Sequence, residues 1–308
     1  TIEIGNSTPT IDVPGTGDAG TQVFEAGLPA RGSGATAEPE GSGEAAAAGA
    51  NGDPREATSG TITFHSADGV GSIQIDSAAS GLFDSQTELD ALAAATPAAP
   101  VTVSDDATGT LVVTHYSYDA ATGAGSIDYA YTLKDNTLAD PDSRSFAVTV
   151  TDADGQGTTG GTLTIAIVDD TAAARPDQDH VDAGSFGPIG GNVISGSGTD
   201  GGTAGTGVDT LGADGAKVVG VEAGTTGGLD DTASGGTVTV GTAIHGQYGT
   251  LTLGADGAYS YTRDAGSAGG VQDVFTYTLK DGDGDLSPTT LTIEIGNSTP
   301  TIDVPGTG

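Results

Sequence analysis

The stretch DGDGD at residues 281–285 places Asp281, Asp283 and Asp285 at alternate positions of a glycine-rich turn. Alternate acids on so tight a backbone can aim several carboxylates at one place, where they repel unless a cation lies between them. All-oxygen donor sets of this kind suit hard cations, calcium above all. The pattern recurs upstream, with Asp152 and Asp154 in DADGQG. Further acids stand where neighbouring loops can join either set. Asp169 and Asp170 lie in VDDTAAARPD, Asp182 in VDAG, and Asp209 and Asp214 in VDTLGADGAKV. The matching positions earlier in the chain are Asn6 and Asp12, then Glu25 in FEAG, then Asp68. Spacing supports the match, because 25 − 12 and 182 − 169 both equal 13. Neither turn is an EF-hand: Leu286 stands where that loop needs glycine, and Thr292 where it needs glutamate. Calcium is therefore expected to be bound by loops and linker together, several ions in all. Asp256 is read differently, as a turn former in an Asp-Gly pair.

Other chemistries find no support. There is no cysteine, so disulfides and thiol nucleophiles are excluded. His65, His115, His180 and His245 are far apart and share no metal spacing, and read as surface or strand residues. No GxSxG, HExxH or phosphate-binding GxxxxGK[ST] occurs. Paired carboxylates can hydrolyse glycosides, but here they sit in turns without an aromatic platform. The chain is not expected to be an enzyme. With 42 acidic and 8 basic residues its net charge is −34, which argues against nucleic-acid and anionic-membrane partners. No apolar run approaches the roughly 20 residues of a membrane span.

The elements that must position the acids are strands. Thr, Ser, Val, Ile and Gly fill the runs between turns, and only 5% of residues are aromatic. FAVTVTDADGQGTTGGTLTIAIVDD from Phe146 and VFTYTLKDGDGDLSPTTLTIEIGNS from Val274 read alike: alternating strand, acidic turn, alternating strand. Their final strands begin 290 − 162 = 128 residues apart, and each closes a domain. Strands are expected near 21–25, 60–65, 70–76, 109–118, 125–133, 145–151 and 161–168, with a hairpin over 249–262. TELDALAAA (87–95) is the one expected helix, stopped before Pro97. Residues 31–58 are of low complexity and read as a long surface loop. The fold class is all-β, two tandem immunoglobulin-like β-sandwiches, the first with a short helix and a long loop insertion.

TIEIGNSTPTIDVPGTG stands at residues 1–17 and again, unchanged, at 292–308. We expect one period of a tandem array. Residues 1–5 then end a preceding copy, 6–168 and 169–296 form two domains, and 297–308 lead into the next copy. Asn297 and Asp303 repeat the linker acids there.

HGQYGTLTLGADGAYSYT followed by DVFTYTLKDGDGDLSPTTLTIEI resembles the bacterial cadherin-like, VCBS-type repeats of very large RTX adhesins. VFEAGLPARGSG followed by SGTITFHSADGVGSIQI is similar to the longer repeat module of type I-secreted adhesins. The resemblance implies an extracellular, cell-surface fibre whose repeats act as extenders, project a distal ligand-binding region and support biofilm formation. It also implies calcium at the domain junctions. No GGxGxDxU nonapeptide occurs. The expected partners are neighbouring copies of the repeat, and the fragment itself is expected to be monomeric. The competing reading is a calcium-dependent carbohydrate- or surface-binding module of the same class of adhesin.

Overall fold

The computed structural model describes residues 6–33, 37–47, 52–76, 79–158, 160–200, 207–233 and 238–299. The expected end strand at 1–5 and Asp303 lie outside them. The chain divides into two compact units, Thr1–Asp170 and Thr171–Gly308.

Unit 1 stacks two five-stranded sheets. One has the order β1 (Thr10–Asp12), β3 (Ala57–His65), β8 (Ala124–Leu133), β7 (Gly109–Asp119), β6 (Val101–Asp105). The other runs β2 (Gln22–Phe24), β10 (Gly161–Val168), β9 (Asp142–Thr151), β4 (Ser72–Ile75), β5 (Leu82–Phe83). Alternation explains the faces: in β10, Leu163, Ile165 and Ile167 are buried while Thr164 and Ala166 between them are not. The short strands β1, β5 and β6 carry too little alternation to be read from sequence. The helix α2 (Gln86–Ala93) starts at Ser85, whose hydroxyl caps Glu88 N–H while the Glu88 carboxylate bonds back to Ser85 N–H.

One expectation is corrected here. Residues 31–58 are not simply a surface loop. They contain a second helix, α1 (Ser42–Ala47), and three of their five acids, Glu44, Asp53 and Glu56, are buried, while Glu38 is half-buried and Glu40 exposed. Glu44 accepts from Gly52 N–H and Asp53 N–H (3.1 and 2.7 Å), and Asp53 ion-pairs with Arg55 (2.5 Å). Low complexity hid a segment held by these local polar contacts and by the long-range bond from Ser42 N–H to Asp170 (2.7 Å) rather than by an apolar stripe.

Unit 2 stacks two four-stranded sheets. The first has the order β11 (Asp177–Val181), β18 (Leu286–Ile295), β17 (Val271–Asp281), β13 (Ala216–Ala223). The second runs β12 (Ile189–Asn192), β16 (Ala258–Arg263), β15 (Gly249–Leu253), β14 (Ala243–His245). Val181, Leu251, Leu253, Tyr261, Phe275, Leu279, Leu291 and Ile293 fill the core between them. Tyr261 meets Phe275 edge-on, with centroids 6.0 Å apart. The β15–β16 hairpin turns at Gly257, where φ is +79°, and Asp256 accepts from Ala258 N–H (3.2 Å), as a turn former does.

Each unit has a parallel pairing with its last strand: β2 runs beside β10 and β11 beside β18, so Phe24 sits opposite Val168 and Val181 opposite Ile295. The ends of β2 and β11 therefore lie at the C-terminal end of their units. The turn before each last strand lies at the other end.

Candidate metal centre

In unit 2 the turn joining β17 to β18 is built around Asp281, which is 7% exposed. Its Oδ1 accepts from Gly284 N–H (3.2 Å) and Asp285 N–H (2.6 Å), and its Oδ2 from Ala172 N–H (3.0 Å). Asp281 N–H bonds to the Asp285 carbonyl at 3.2 Å. One carboxylate thus closes the turn and holds the start of the chain segment leading to β11. Asp214, from the loop before β13, accepts from Asp283 N–H at 2.9 Å. A Cβ on residue 282 would stand 2.7 Å from Asp214 Oδ2, so glycine is what allows this approach. Asp214, Asp281 and Asp283 each bring one carboxylate oxygen within 4.8 Å of the others. Burial, and next the charge of Asp281, raise the Asp214 carboxyl above its ordinary value. Lys280, the neighbouring base, is engaged by Asp230 at 3.0 Å instead. A hard divalent cation fits three converging carboxylates, an all-oxygen donor set. Asp285 serves the turn through its main chain.

Asp209 does not join this cluster. It is 7% exposed and accepts from Arg175 N–H (2.7 Å) and lies 3.2 Å from the Tyr277 hydroxyl. Tyr277 precedes Asp281 by four residues on β17, about 13 Å at the usual strand rise. Asp177, which the sequence reading passed over, lies 3.0 Å from the same hydroxyl and is fully buried. The signal was present in DQDHV, where Asp177 and Asp179 occupy the inward positions of an alternating strand.

Unit 1 assembles its last turn on the same plan. Asp152 is 1% exposed, and its Oδ1 accepts from Asp154 N–H (3.0 Å) and Gln156 N–H (2.8 Å). Its Oδ2 has no hydrogen-bond partner. The leading segment reaches this end: Thr8 Oγ1 bonds Gln156 Oε1 (3.0 Å), while Ser7 donates to Asp68 from its N–H and its hydroxyl (2.9 and 2.8 Å). Those two bonds hold the Asp68 carboxyl below its usual range. Asn6 and Asp154 are exposed, and Asp12 pairs with Thr63 in the β1–β3 ladder. Among the described residues, Asp12, Asp68, Asp152 and Asp154 form no group of three converging carboxylates.

Two placements are corrected. Glu25 was expected beside Asp12 and Asp152, but it follows β2 and therefore stands at the far end of β10, about 25 Å away by strand rise. There it is 2% exposed and accepts from Thr137 N–H (2.7 Å) and hydroxyl (3.1 Å). Asp182 was expected beside Asp281, but it follows β11 and stands at the far end of β18. It lines a cavity of about 540 Å³ together with His180, Asp200, Glu294 and Asn297. His180 Nδ1 lies 2.5 Å from Asp200 and its Nε2 3.5 Å from Asp182, and the Asp200 contact raises the imidazole pKa. The shared spacing of 13 residues measures the run from a linker to the opposite end of a sandwich. Asp170 is 6% exposed and accepts from Ser42 N–H (2.7 Å), and Asp169 is half-buried beside it. Their expected meeting with the Asp281 turn is a relation between the two units.

Residues 177–297 match the family model described as bacterial cadherin-like domain. No curated protein matches the chain. Among solved structures, the titin domains z1z2 in complex with telethonin align at 11% identity over 96% of this chain and 100% of that one, with a TM-score of 0.32. Cadherin-like domains 1 to 4 of zebrafish RET align at 10% identity over 94% of this chain and 52% of that one, with a TM-score of 0.28. A variant of BcpA, the major pilin subunit of Bacillus cereus, aligns at 8% identity over 96% and 71%, with a TM-score of 0.29. These overlaps are loose, and the fold class rests on the chain's own sheets.

Proposed function

We propose that this chain is a calcium-stiffened extender of a secreted bacterial surface adhesin, a spacer in a tandem array that holds a distal binding region away from the cell and serves adhesion and biofilm formation. The observation that carries the reading is the convergence of Asp214, Asp281 and Asp283 in the last turn of a unit similar to a bacterial cadherin-like domain. A calcium ion there neutralises three repelling carboxylates. It also fastens the turn whose Asp281 holds Ala172, the start of the unit.

Mass action supplies the mechanism. A metal that binds the folded, docked state and not the loose one favours the docked state. Extracellular calcium modules bind at about 10⁻⁴–10⁻³ M, so the array is loose at cytosolic calcium and stiff outside the cell. RTX-type organisation and type I secretion belong to this proposal as its cellular setting.

Small-angle scattering with and without millimolar calcium, paired with thermal melts, tests it. Calcium should lengthen and stiffen the particle and raise its melting temperature. An unchanged maximum dimension together with an unchanged melt would mean that the acids are solubilising turns.

A further inference from the structure

A second group of acids lies deeper in unit 2. Asp177 Oδ2 is 3.0 Å from the Tyr277 hydroxyl, Asp209 Oδ2 is 3.2 Å from it, and the Arg175 carbonyl is 3.1 Å from it. All three are acceptors, and a phenol has one proton to give. One contact is satisfied and two oxygens are left facing the phenol oxygen. Asp177 Oδ1 is also buried without a hydrogen-bond partner. Residue 207 is glycine, and a Cβ there would come within 2.8 Å of that oxygen. The Arg175 side chain is exposed and makes no ion pair with either acid among the described residues. Two carboxylates therefore share an interior site with no basic side chain in ion-pair contact among the described residues, the Arg175 charge acting on Asp209 only as its weakest influence, and this is costly unless something positive enters it.

A proton is one candidate. Placed on Oδ2 of Asp177, it bonds the phenol oxygen but leaves Oδ1 unpartnered. Placed on Oδ1, it finds no acceptor. Burial does push Asp177 up to about 7 and Asp209 up to about 6, so the metal-free site resists carrying both charges at neutral pH. A cation answers both needs, because it accepts lone pairs from either oxygen of each carboxylate at once. The available donors are carboxylates, a carbonyl and a phenol, oxygen throughout, which selects a hard ion.

We propose that Asp177 and Asp209, with the Arg175 carbonyl and the Tyr277 hydroxyl beside them, form an inner calcium site distinct from the Asp214–Asp281–Asp283 cluster. This deepens the calcium reading above and rests on it. The consequence is mechanical. The segment 172–175 is fastened at Ala172 by Asp281, paired at Ala173 with Thr210, and fastened at Arg175 by Asp209 and Tyr277. Ions at both sites clamp both ends of the stretch that enters unit 2.

The test uses the whole chain and counts bound calcium by native mass spectrometry, with terbium as an optical probe. The chain has no tryptophan, so terbium emission excited in the near ultraviolet reports tyrosine neighbours. Asp177→Asn should retain one calcium ion fewer than the parent and lose about tenfold in tyrosine-sensitised emission, because ligand charge sets affinity in such sites. Asp283→Ala should lose the turn ion and keep the emission. Asp209→Asn repeats the experiment in case Asp177→Asn does not melt cooperatively. If both folded asparagine variants hold as many ions as the parent, the inner site is wrong and the calcium reading stands. If the parent itself binds no calcium, both fall, and a shared proton occupies the pair.

Discussion

The turns Asp152–Gln156 and Asp281–Asp285 close the last hairpin of their units by one device. In each, the first aspartate is buried, its Oδ1 accepts main-chain N–H groups from within the turn, and its own N–H bonds the carbonyl four residues on. They differ in what surrounds that device. Unit 2 brings Asp214 across from another loop and adds Asp283, so three carboxylates converge. In unit 1 the second loop's Asp68 is held by Ser7, and the fifth turn position is Gln156, which is bonded by Thr8. Aspartate in these turns is a main-chain clamp first. It becomes part of a metal centre only where a neighbouring loop supplies further carboxylates.

Substitution of the clamp separates the two roles and should have the largest effect. Asp281→Ala removes three charge-assisted hydrogen bonds and should cost unit 2 about 3–5 kcal/mol in urea unfolding, since such bonds contribute about 1.5–3 kcal/mol each and do not add fully. It should also abolish the calcium response of that transition. Asp152→Ala should destabilise unit 1 by about 2–3 kcal/mol, and by the same amount in calcium and in chelator. A cost for Asp152→Ala that grows in calcium would erase the contrast drawn here.

Calcium itself comes next. At about one hundred times its dissociation constant it should stabilise unit 2 by about 2.7 kcal/mol per site, and unit 1 by less. Calorimetry that resolves the two transitions reads this directly. Equal shifts would mean that unit 1 gathers its ligands in some other way.

The pH dependence in chelator should be smaller but has a definite sign. Asp177 is pushed up to about 7 and Asp209 to about 6, mainly by burial; the Tyr277 hydroxyl bond opposes the shift in both, Arg175 also opposes it for Asp209, and the charge of Asp209 adds to it for Asp177. Unfolded aspartate titrates near 3.9. Folded carboxyls that keep their protons longer contribute stability that is complete below about pH 4 and is lost as pH rises toward about 7. The melting temperature of metal-free unit 2 should fall across that window, and Asp177→Asn should flatten the fall. A rise over the same window would contradict it.

The smallest effect belongs to Asp256. Asp256→Ala removes a 3.2 Å bond to Ala258 N–H in an exposed hairpin turn and should cost about 1 kcal/mol or less, without altering calcium binding. Isothermal titration of the variant checks that the acids of this chain are not interchangeable.

Much of this was legible in the residues. The strands β7 to β10 and β15 to β18 announce themselves by period-2 alternation, and α2 by the run TELDALAAA that ends before Pro97. Asp281, Asp283 and Asp214, whose carboxylates converge, all stand in acidic turns that are visible in the residues alone. The acids at the opposite ends were not placed correctly. Glu25 and Asp182 follow strands that pair in parallel with the last strand of their unit, and parallel pairing over a long sequence separation leaves no local trace. Asp177 was missed because an acid inside an alternating strand reads as a solvent-facing residue until the register is known.

The sequence by itself determined the all-β class, the two similar closing hairpins and the acidic turns, because each depends on residues close together in the chain. Only the tertiary structure decided which acids share a site. Convergence at Asp281, the buried pair at Tyr277 and the bond from Ser42 to Asp170 in unit 1 all join residues tens to more than a hundred positions apart. Carboxylate repulsion and burial act over ångströms of space, and sheet register sets those distances.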